Sequence, residues 1–524
     1  MHSGRRRRCG GRVVSGSALV PSTSITKAAA AGTGGVVAAQ NRIAAEVGAG
    51  VLRAGGNAVD AAVATAFALA VVEPWMSGLG GGGTMLIHRR GSSTTAAVDF
   101  GMVAPATLDA ADYPLTGAAG GDLFGWPAVV EDRNIRGPLA MAVPGSIDGL
   151  GLALETFGTM PLAVVLEPAL ALARTGLPVD WYVTLVVANA AADLARYPSS
   201  AAVWLPGGLP PRADPSGTAW HLPLPGLAAT LEALARGGRR DAYDGEIAAT
   251  LLADLREVGS RITAEDLRRY SARIGAAEVT RYRQHRVATM PGLHAGLSLA
   301  EALQLLPGTP DLLAIGGVLE RVLATRLGSV GDSAASPACT THVSVIDRDG
   351  MAVALTHTLL SSFGSRVVLP RTGVLMNNGI MWFDPRPGRP NSLAPGRRPL
   401  SNMCPTLALA ADGRIVALGA SGGRKILPAV LQVLCAVLDD GLDLEAALSR
   451  PRIDVSGTAV LTADVRLPAE LRAALAARGP VRTVQPNIYP LHWACPVAAM
   501  RQPDGRLSGA TEPMHPWADA IALP

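Results

Sequence analysis

The fold is decided by the stretch from Cys339 to Leu359, which reads CTTHVSVIDRDGMAVALTHTL. Apolar and polar residues alternate on both sides of Asp349-Gly350, a pair that is typical of the tight turn of a β-hairpin. If that pair forms a two-residue loop, Thr341 pairs with Thr358 and Thr340 pairs with Leu359. The spacing therefore places the hydroxyl of Thr358 beside the start of the first strand.

Thr340 is the candidate nucleophile of this hairpin. A threonine hydroxyl needs a base within hydrogen-bond distance, and no fixed Ser/His/Asp spacing in the sequence supplies one. A threonine released as a new N-terminus carries its own base, the α-amine, whose unperturbed pKa of about 7.7–8.0 suits catalysis near neutral pH. The Gly/Ser/Ala/Pro composition of residues 331–338 offers a place for that cut. The competing interpretation is that both threonines simply begin a strand, where threonine is common.

Two helices and a glycine-rich loop are predicted upstream. The pattern of Gln40–Arg53 is helical, and the almost wholly apolar Ala58–Val72 predicts a helix buried on all sides. The loop Ser77–Gly83 follows, but no Gly-Lys-Ser/Thr comes after it, so phosphate binding is not indicated. The stretch from residue 150 to residue 305 reads as mostly helical.

Composition limits the class of protein and its partners. With 49% hydrophobic and 17% charged residues, the 524-residue chain can bury a large core, and global disorder is excluded. Much of the net charge of +4 comes from Arg5–Arg8, at the start of an expected disordered tail of residues 1–30, so nucleic acid is not an expected partner. The cysteines form no CxxC pair, and no metal or cofactor is predicted. No apolar run reaches about 18 residues, so no membrane partner is expected and a cytoplasmic location follows by default.

From Gly35 onward the chain resembles the γ-glutamyltranspeptidase family of N-terminal-nucleophile hydrolases. Six segments in the family order carry the resemblance: Gly55–Ala62, Glu73-Pro74 with Ser77–Gly82, Val143-Pro144-Gly145, Thr340-Thr341-His342, Arg398-Pro399-Leu400-Ser401 and Gly419–Gly423. The resemblance implies an α/β fold, the four-layer αββα sandwich. It also implies autoprocessing between Cys339 and Thr340, which gives a large subunit (residues 31–339) and a small subunit (residues 340–524).

The same resemblance implies a role for each site residue. The Thr340 hydroxyl would attack the Cys339 carbonyl during processing and a small-molecule amide afterwards. Thr358 matches the family threonine that hydrogen-bonds the nucleophile, and the N–H groups of Gly422 and Gly423 would form the oxyanion hole. The only protein partner that the resemblance implies is the chain's own cleaved subunit, in a heterodimer.

The residues with which the family grips a γ-glutamyl group are mostly replaced. The replacements are Gly101 for an arginine, Leu360 for an asparagine, Gly379 and Trp382 for two acidic or amide residues, and Asn402 for the second of two serines, after Ser401. Charge-assisted hydrogen bonds contribute about 1.5–3 kcal/mol each, so the preference for glutamyl should fall on the order of 10³-fold. The stretch 377–388 is similar to a side branch of cephalosporin-acylase-like and oxamate-amidohydrolase-like members.

We therefore predict an autoprocessing amidohydrolase that forms an acyl-enzyme on Thr340 and hydrolyses a small carboxyl-bearing amide. The predicted substrate-binding residues are Ser401, Asn402, Arg366 and Trp382. Arg366 could bind a carboxylate in a bidentate manner, or be a surface arginine. Trp382 could make the pocket more apolar, or only pack in the core. Two alternatives stay open, a glutathione hydrolase or γ-glutamyltransferase with a modified clamp and an unprocessed, non-catalytic relative.

Overall fold

The computed structural model describes residues 25–120, 126–217, 220–327, 338–457 and 460–524. Its centre consists of two antiparallel sheets of seven strands each. The first sheet has the order β21 (Asp519–Leu523), β2 (Gly35–Ala39), β12 (Ala338–Asp347), β13 (Ala352–Ser361), β3 (Gly82–His88), β4 (Ala96–Phe100) and β9 (Arg273–Ala276). The second sheet has the order β1 (Ala30–Gly32), β20 (Leu507–Thr511), β19 (Cys495–Arg501), β15 (Ile415–Ser421), β14 (Thr406–Leu409), β11 (His285–Thr289) and β10 (Glu278–Tyr282).

Helices cover the outer faces of both sheets. Those on the first sheet are α1 (Arg42–Arg53), α2 (Ala58–Val72), α3 (Ser146–Phe157), α4 (Leu162–Thr175), α5 (Trp181–Leu194), α6 (Pro198–Trp204), α7 (Pro225–Gly237), α8 (Asp241–Asp244), α9 (Glu246–Val258) and α10 (Ala264–Arg269). Those on the second sheet are α11 (Gly296–Leu305), α12 (Leu312–Leu327), α13 (Ile426–Leu438) and α14 (Leu444–Ser449), while α15 (Ala469–Ala476) packs beside α12.

Three small sheets complete the described structure. Their strands are β5 (Leu115–Ala119) with β6 (Pro127–Val129), β7 (Leu177–Pro178) with β8 (His221–Leu222), and β16 (Ile453–Asp454) with β17 (Leu461–Asp464) and β18 (Val481–Val484). Between the two large sheets lies a buried apolar layer with side chains from both, among them Leu86, Ile346, Leu407 and Ala417. Because apolar side chains of each sheet also meet a helical layer on its other face, the predicted αββα sandwich is confirmed.

The second helix fixes the centre of the first helical layer. Every residue of α2 is buried, as its uniform apolar sequence predicts. Asn57 caps its N-terminus by accepting from the N–H groups of Val59 and Asp60, and Asp60 accepts from Asn57 in return. This capping box starts the helix at Ala58. The helix ends at Val72, and Glu73 leads from it toward the glycine-rich loop.

Residues 150–305 are mostly helical, as predicted, but the strands β9, β10 and β11 interrupt the helices between residues 273 and 289. These strands were missed because they are only four or five residues long, and β9 is exposed at every position, so that no inward-facing alternation marks it. The expected tail also ends before residue 30, since Ala30 pairs with Gly509, while residues 1–24 lie outside the described residues. In the described ranges no helix is long and apolar enough to cross a bilayer.

Candidate active site

Thr340 and Thr358 face each other at the start of β12 and the end of β13. Their hydroxyl oxygens lie 3.1 Å apart, and both side chains are buried. The predicted proximity is confirmed, but the register differs by one residue because Thr341 pairs with His357. The loop has three residues, and its last, Gly350, has a φ of +85°. A β-bulge between Cys339 and Thr341 then returns Thr340 to the side of Thr358.

The glycine-rich loop packs directly behind Thr358. Thr358 pairs with Gly82 across the first sheet. A Cβ placed on Gly81 would lie 2.3 Å from the carbonyl oxygen of Thr358, so no side chain fits there. The glycines of this loop therefore allow close backbone packing beside the predicted nucleophile, and the absence of a phosphate-binding motif is consistent with that packing role.

The second sheet contributes the turn between β15 and α13 to the same end of the sandwich. A Cβ placed on Gly419 would lie 2.2 Å from the His342 ring, so β15 passes directly over the start of β12. β12 also contacts the 3-10 turn Gly423–Lys425. Gly422 has a φ of +130° and Gly423 a φ of +57°, and a Cβ on Gly422 would meet the Cα of Ala494 at 2.8 Å. The predicted oxyanion-hole glycines thus occupy a turn that other residues do not enter without strain.

Apolar side chains occupy two of the positions at which the family binds glutamate. Leu360 and Trp382 belong to one buried cluster with Met102 and Met403. Gly379 is confined by packing, since a Cβ there would lie 2.8 Å from the Cβ of Ala142. Trp382 therefore packs in a core cluster. The same cluster contains Leu360, another position at which a glutamate-binding residue of the family is replaced.

Polar residues collect beside this cluster, at the remaining serine. His294 Nδ1 lies 3.0 Å from Ser401 Oγ, and His294 Nε2 lies 3.4 Å from Asp99 Oδ1. Arg398 Nη1 donates to the same oxygen of Asp99 at 2.7 Å. The Nδ2 atom of Asn402 is buried and has no hydrogen-bond partner among the described residues. Ser401 and Asn402 thus lie in a polar corner that adjoins an apolar wall.

Arg366 does not join this group. It has a φ of +68°, and its side chain donates to the carbonyl of Gly364 and lies 3.8 Å from Asp193 of α5. The carboxylate beside Arg366 is therefore that of Asp193, which belongs to the protein itself. Binding of a substrate carboxylate by Arg366 stays a prediction without a contact to support it.

A buried pair of ionisable groups lies behind the nucleophile. Thr341 donates to Glu73 Oε2 at 3.3 Å, and Glu73 Oε1 lies 3.6 Å from His515 Nε2. Burial raises the pKa of Glu73 well above its usual range and lowers the pKa of His515 to about 3. Burial thus favours the uncharged form of both groups, which avoids the cost of an uncompensated buried charge.

Neither His294 nor Glu73 was predicted from the sequence as a site residue, although Glu73 belongs to one of the segments that carry the family resemblance. His294 stands 107 positions from Ser401, and only the fold joins them. The one sequence signal for His294 was its position in the loop after Pro291-Gly292, just ahead of a helix. In the described part of the chain, no cluster of His, Cys, Asp and Glu side chains is suited to hold a metal ion.

An αββα sandwich with a threonine at the start of an inner strand, beside a second threonine and a diglycine turn, defines an N-terminal-nucleophile hydrolase. The sequence matches the gamma-glutamyltranspeptidase family over residues 44–317 and 323–519. The chain belongs to this family and is an autoprocessing amidohydrolase of the γ-glutamyltranspeptidase type.

Its relatives include both acylases and glutathione hydrolases. It is 33% identical to the acylase ACY 1 proenzyme of Pseudomonas sp. (strain V22), over 92% of this chain and 93% of that one. It is 31% identical to the glutathione hydrolase proenzyme of Escherichia coli (strain K12), over 80% of each chain. The crystal structure of cephalosporin acylase from Bacillus halodurans superposes with a TM-score of 0.82 over 97% of this chain and 99% of that one; at 24% identity this likeness concerns the fold alone.

Proposed function

We propose that the chain cuts itself between Cys339 and Thr340, and that Thr340 then hydrolyses a small amide whose acyl group carries a carboxyl group. The observation that carries this proposal is the 3.1 Å contact between the Thr340 and Thr358 hydroxyls at the start of an inner strand. A hydroxyl fixed by a hydrogen bond in this way is positioned for attack as soon as a base is available.

Processing supplies that base. The Thr340 hydroxyl oxygen attacks the Cys339 carbonyl carbon, the C–N bond breaks, and an ester joins Cys339 to the Thr340 side chain. Water hydrolyses the ester and leaves a Cys339 carboxylate and a Thr340 α-amine. In turnover the α-amine accepts the hydroxyl proton as Thr340 attacks the substrate amide, and the Gly422 and Gly423 N–H groups donate to the developing oxyanion. The substrate C–N bond breaks as the proton passes to the departing amine, which leaves an ester on Thr340, and water hydrolyses this ester to release the acid.

The two fragments would remain together after the cut. In the first sheet β12 is hydrogen-bonded to β2, and β13 is hydrogen-bonded to β3. Each of these pairs joins a strand from residues 31–339 to one from residues 340–524. Their separation would expose the buried apolar layers on both faces of the sheet, so we expect a stable heterodimer.

The apolar cluster at the replaced clamp positions supports an acyl group other than γ-glutamyl. Leu360 offers no hydrogen bond to an α-amino or α-carboxyl group, Trp382 offers only its single indole N–H, and the packing at Gly379 leaves no space for a longer side chain. The likeness to an acylase proenzyme agrees with this choice. The likeness to a glutathione hydrolase proenzyme favours γ-glutamyl amides as the second candidate substrate.

Intact mass spectrometry of purified wild-type protein and of Thr340→Ala tests the cut. We expect two fragments that meet at Cys339 and Thr340 for the wild type and one chain for the variant. Thr156→Ala removes an exposed helical threonine and should still split, which makes it the matched control. Hydrolysis of glutaryl- and γ-glutamyl-p-nitroanilide by the split protein tests the substrate. Activity confined to the γ-glutamyl compound would reject the acylase proposal, and a Thr340→Ala chain that splits at the same bond would reject the mechanism.

A further inference from the structure

A buried polar network joins the two sheets beside the replaced clamp. Asp99 lies near the end of β4, His294 in the loop between β11 and α11, and Ser401 in the segment before β14. His294 and Ser401 are 5% and 2% exposed, and the imidazole lies between the carboxylate and the hydroxyl. Hydrogen-bonding roles in such an enclosed network are constrained because few partners are available.

The network determines which way the Ser401 hydroxyl points. A carboxylate only accepts hydrogen bonds, so the ring nitrogen that faces Asp99, Nε2, carries a proton. In the neutral ring Nδ1 is then an acceptor, and the Ser401 hydroxyl donates to it at 3.0 Å. Ser401 Oγ also accepts from the N–H of Met403 at 3.3 Å. Toward a ligand, Ser401 can therefore only accept while the imidazole is neutral.

Protonation of His294 reverses this role. Nδ1 then carries a hydrogen and donates to Ser401 Oγ, and the hydroxyl hydrogen turns toward the ligand. An imidazolium also adds a positive charge to the corner. The Ser401 hydroxyl would then bind an acceptor such as a carboxylate, whereas in the neutral state it would bind a donor such as an amide N–H.

Charged groups approach His294 from three sides. Asp99 approaches from β4, Arg398 from the segment before β14, and Arg326 of α12 donates to the backbone carbonyls of His294 and Ser401. Burial acts to raise the pKa of Asp99, but His294 and Arg398 outweigh it and hold that pKa well below its usual range. Burial lowers the pKa of Arg326 to about 10, which leaves it charged near neutral pH. The nearby phenol of Tyr270, which donates to Gly101 O, stays neutral because burial raises its pKa.

This network adjoins the space where the acyl group is expected. A Cβ placed on Gly101, where the family has its arginine, would lie 3.2 Å from Asp99 Oδ1 and 3.9 Å from His294 Cε1. Met403, whose N–H bonds Ser401, lies in the cluster with Trp382. Asn402, the next residue after Ser401, has a buried Nδ2 without a partner among the described residues, and a buried N–H group normally has an acceptor.

We propose that His294, held by Asp99, is a positioning residue that selects the acyl group by setting whether the Ser401 hydroxyl donates or accepts. The proposal rests on the proposed function, because it assumes that the acyl group of the Thr340 substrate reaches Ser401. At low pH the site prefers an acyl group that ends in a carboxylate. At higher pH the preference moves toward the isosteric carboxamide.

The test compares glutaryl-p-nitroanilide with glutaramyl-p-nitroanilide, in which a carboxamide replaces the terminal carboxylate. Both release the same aniline, so the chemistry at Thr340 cancels in the ratio of their kcat/KM values. As the pH is raised from acidic to alkaline values, we expect this ratio to fall on the order of tenfold in the wild type. His294→Asn keeps a group able to bond Ser401 but does not titrate, so its ratio should be independent of pH.

His285→Asn is the matched control, since His285 begins β11 at the opposite end of the strand from the His294 loop. It should give the wild-type profile, and all three proteins should split between Cys339 and Thr340. A ratio that changes equally with pH in His294→Asn and in the wild type would overturn the proposal.

A binding measurement separates this proposal from the proposed function. Calorimetry of glutarate and glutaramate with the split wild type and with His294→Asn needs no turnover. If neither anilide is hydrolysed, the substrate proposal fails. A pH-dependent preference for glutarate that is lost in His294→Asn would still support the role of His294. Equal, pH-independent binding by both proteins would reject it.

Discussion

At the scale of single residues, the geometry around Thr340 depends on the Thr358 hydroxyl. Thr358 Oγ1 accepts from the N–H of Leu360 at 2.8 Å and lies 3.1 Å from the Thr340 hydroxyl. Leu360 adopts a φ of +87°, which is unusual for a residue with a side chain. This backbone conformation turns the Leu360 N–H back onto Thr358 and places the Leu360 side chain in the apolar cluster.

Replacement of Thr358 should show whether its hydroxyl group assists Thr340 or whether the side chain only fills space. Thr358→Ala removes one hydrogen bond to the nucleophile, so we expect the rate of self-cleavage and the kcat of the split enzyme to fall about tenfold or more. Thr358→Ser keeps the hydroxyl and should stay close to the wild type. The time course of cleavage on denaturing gels measures the first effect. Equal rates for the alanine and serine variants would show that the hydroxyl does not assist Thr340.

At the scale of elements, the β15–α13 turn brings a group from the second sheet to a nucleophile on the first. The strand ends at Ser421, and α13 begins at Ile426 after the 3-10 turn Gly423–Lys425. Ser421 is fixed from the first sheet, because the side chain of Gln40 donates to its hydroxyl. The positive φ at Gly422 and Gly423 lets the chain reverse within two residues.

Gly422→Ala should lower kcat strongly while it changes the thermal midpoint of unfolding much less. Its Cβ would lie 2.8 Å from the Cα of Ala494, so the turn must shift, and a displaced oxyanion donor typically costs about 10²–10³-fold in kcat. Gly441→Ala is the matched control, since Gly441 also has a positive φ, +68°, but no atom lies within 4 Å of its Cβ position. Steady-state kinetics together with the thermal midpoint would check this. Equal loss of kcat in both variants would argue against a specific role of the turn.

At the scale of the whole molecule, the folded protein buries three histidines, and burial favours the neutral form of each imidazole. Burial lowers the pKa of His342 to about 3, of His357 to about 4 and of His515 to about 3. Their contribution to stability is complete above the ordinary histidine pKa and is lost as the pH falls toward these values. Glu73 acts in the opposite direction, because its raised pKa gives stability at low pH that is lost as the pH rises above its ordinary value of 4.5.

The histidines outnumber Glu73, so the protein should be acid-labile. Between about pH 6.5 and pH 5 the unfolded chain takes up protons at His342, His357 and His515 that the folded chain does not, and each full proton of difference changes the free energy of unfolding by about 1.4 kcal/mol per pH unit. Urea unfolding of the uncleaved Thr340→Ala chain measures this slope. A second substitution, His357→Gln, should reduce it, while His285→Gln should not, because His285 is partly exposed. An unfolding midpoint that is constant over this interval would contradict the prediction.

The sequence by itself determined the local features of this protein. Alternation on both sides of Asp349-Gly350 gave the central hairpin, the uniform apolar run gave α2 with its observed ends, and the ordered motifs gave the family. Local periodicity did not reveal β9–β11, because these strands are only four or five residues long and β9 is exposed at every position.

Only the tertiary structure decided the register and the composition of the site. The three-residue loop and the bulge before Thr341 compensate each other, and neither leaves a clear mark in the sequence. The contact of Asp99 with His294 and of His294 with Ser401 joins three segments that are far apart in the chain. Such contacts arise from the packing of two sheets face to face, and that packing depends on the whole core and not on any single motif. For that reason the sequence indicated a threonine nucleophile, while only the fold showed that His294 and Asp99 lie beside Ser401.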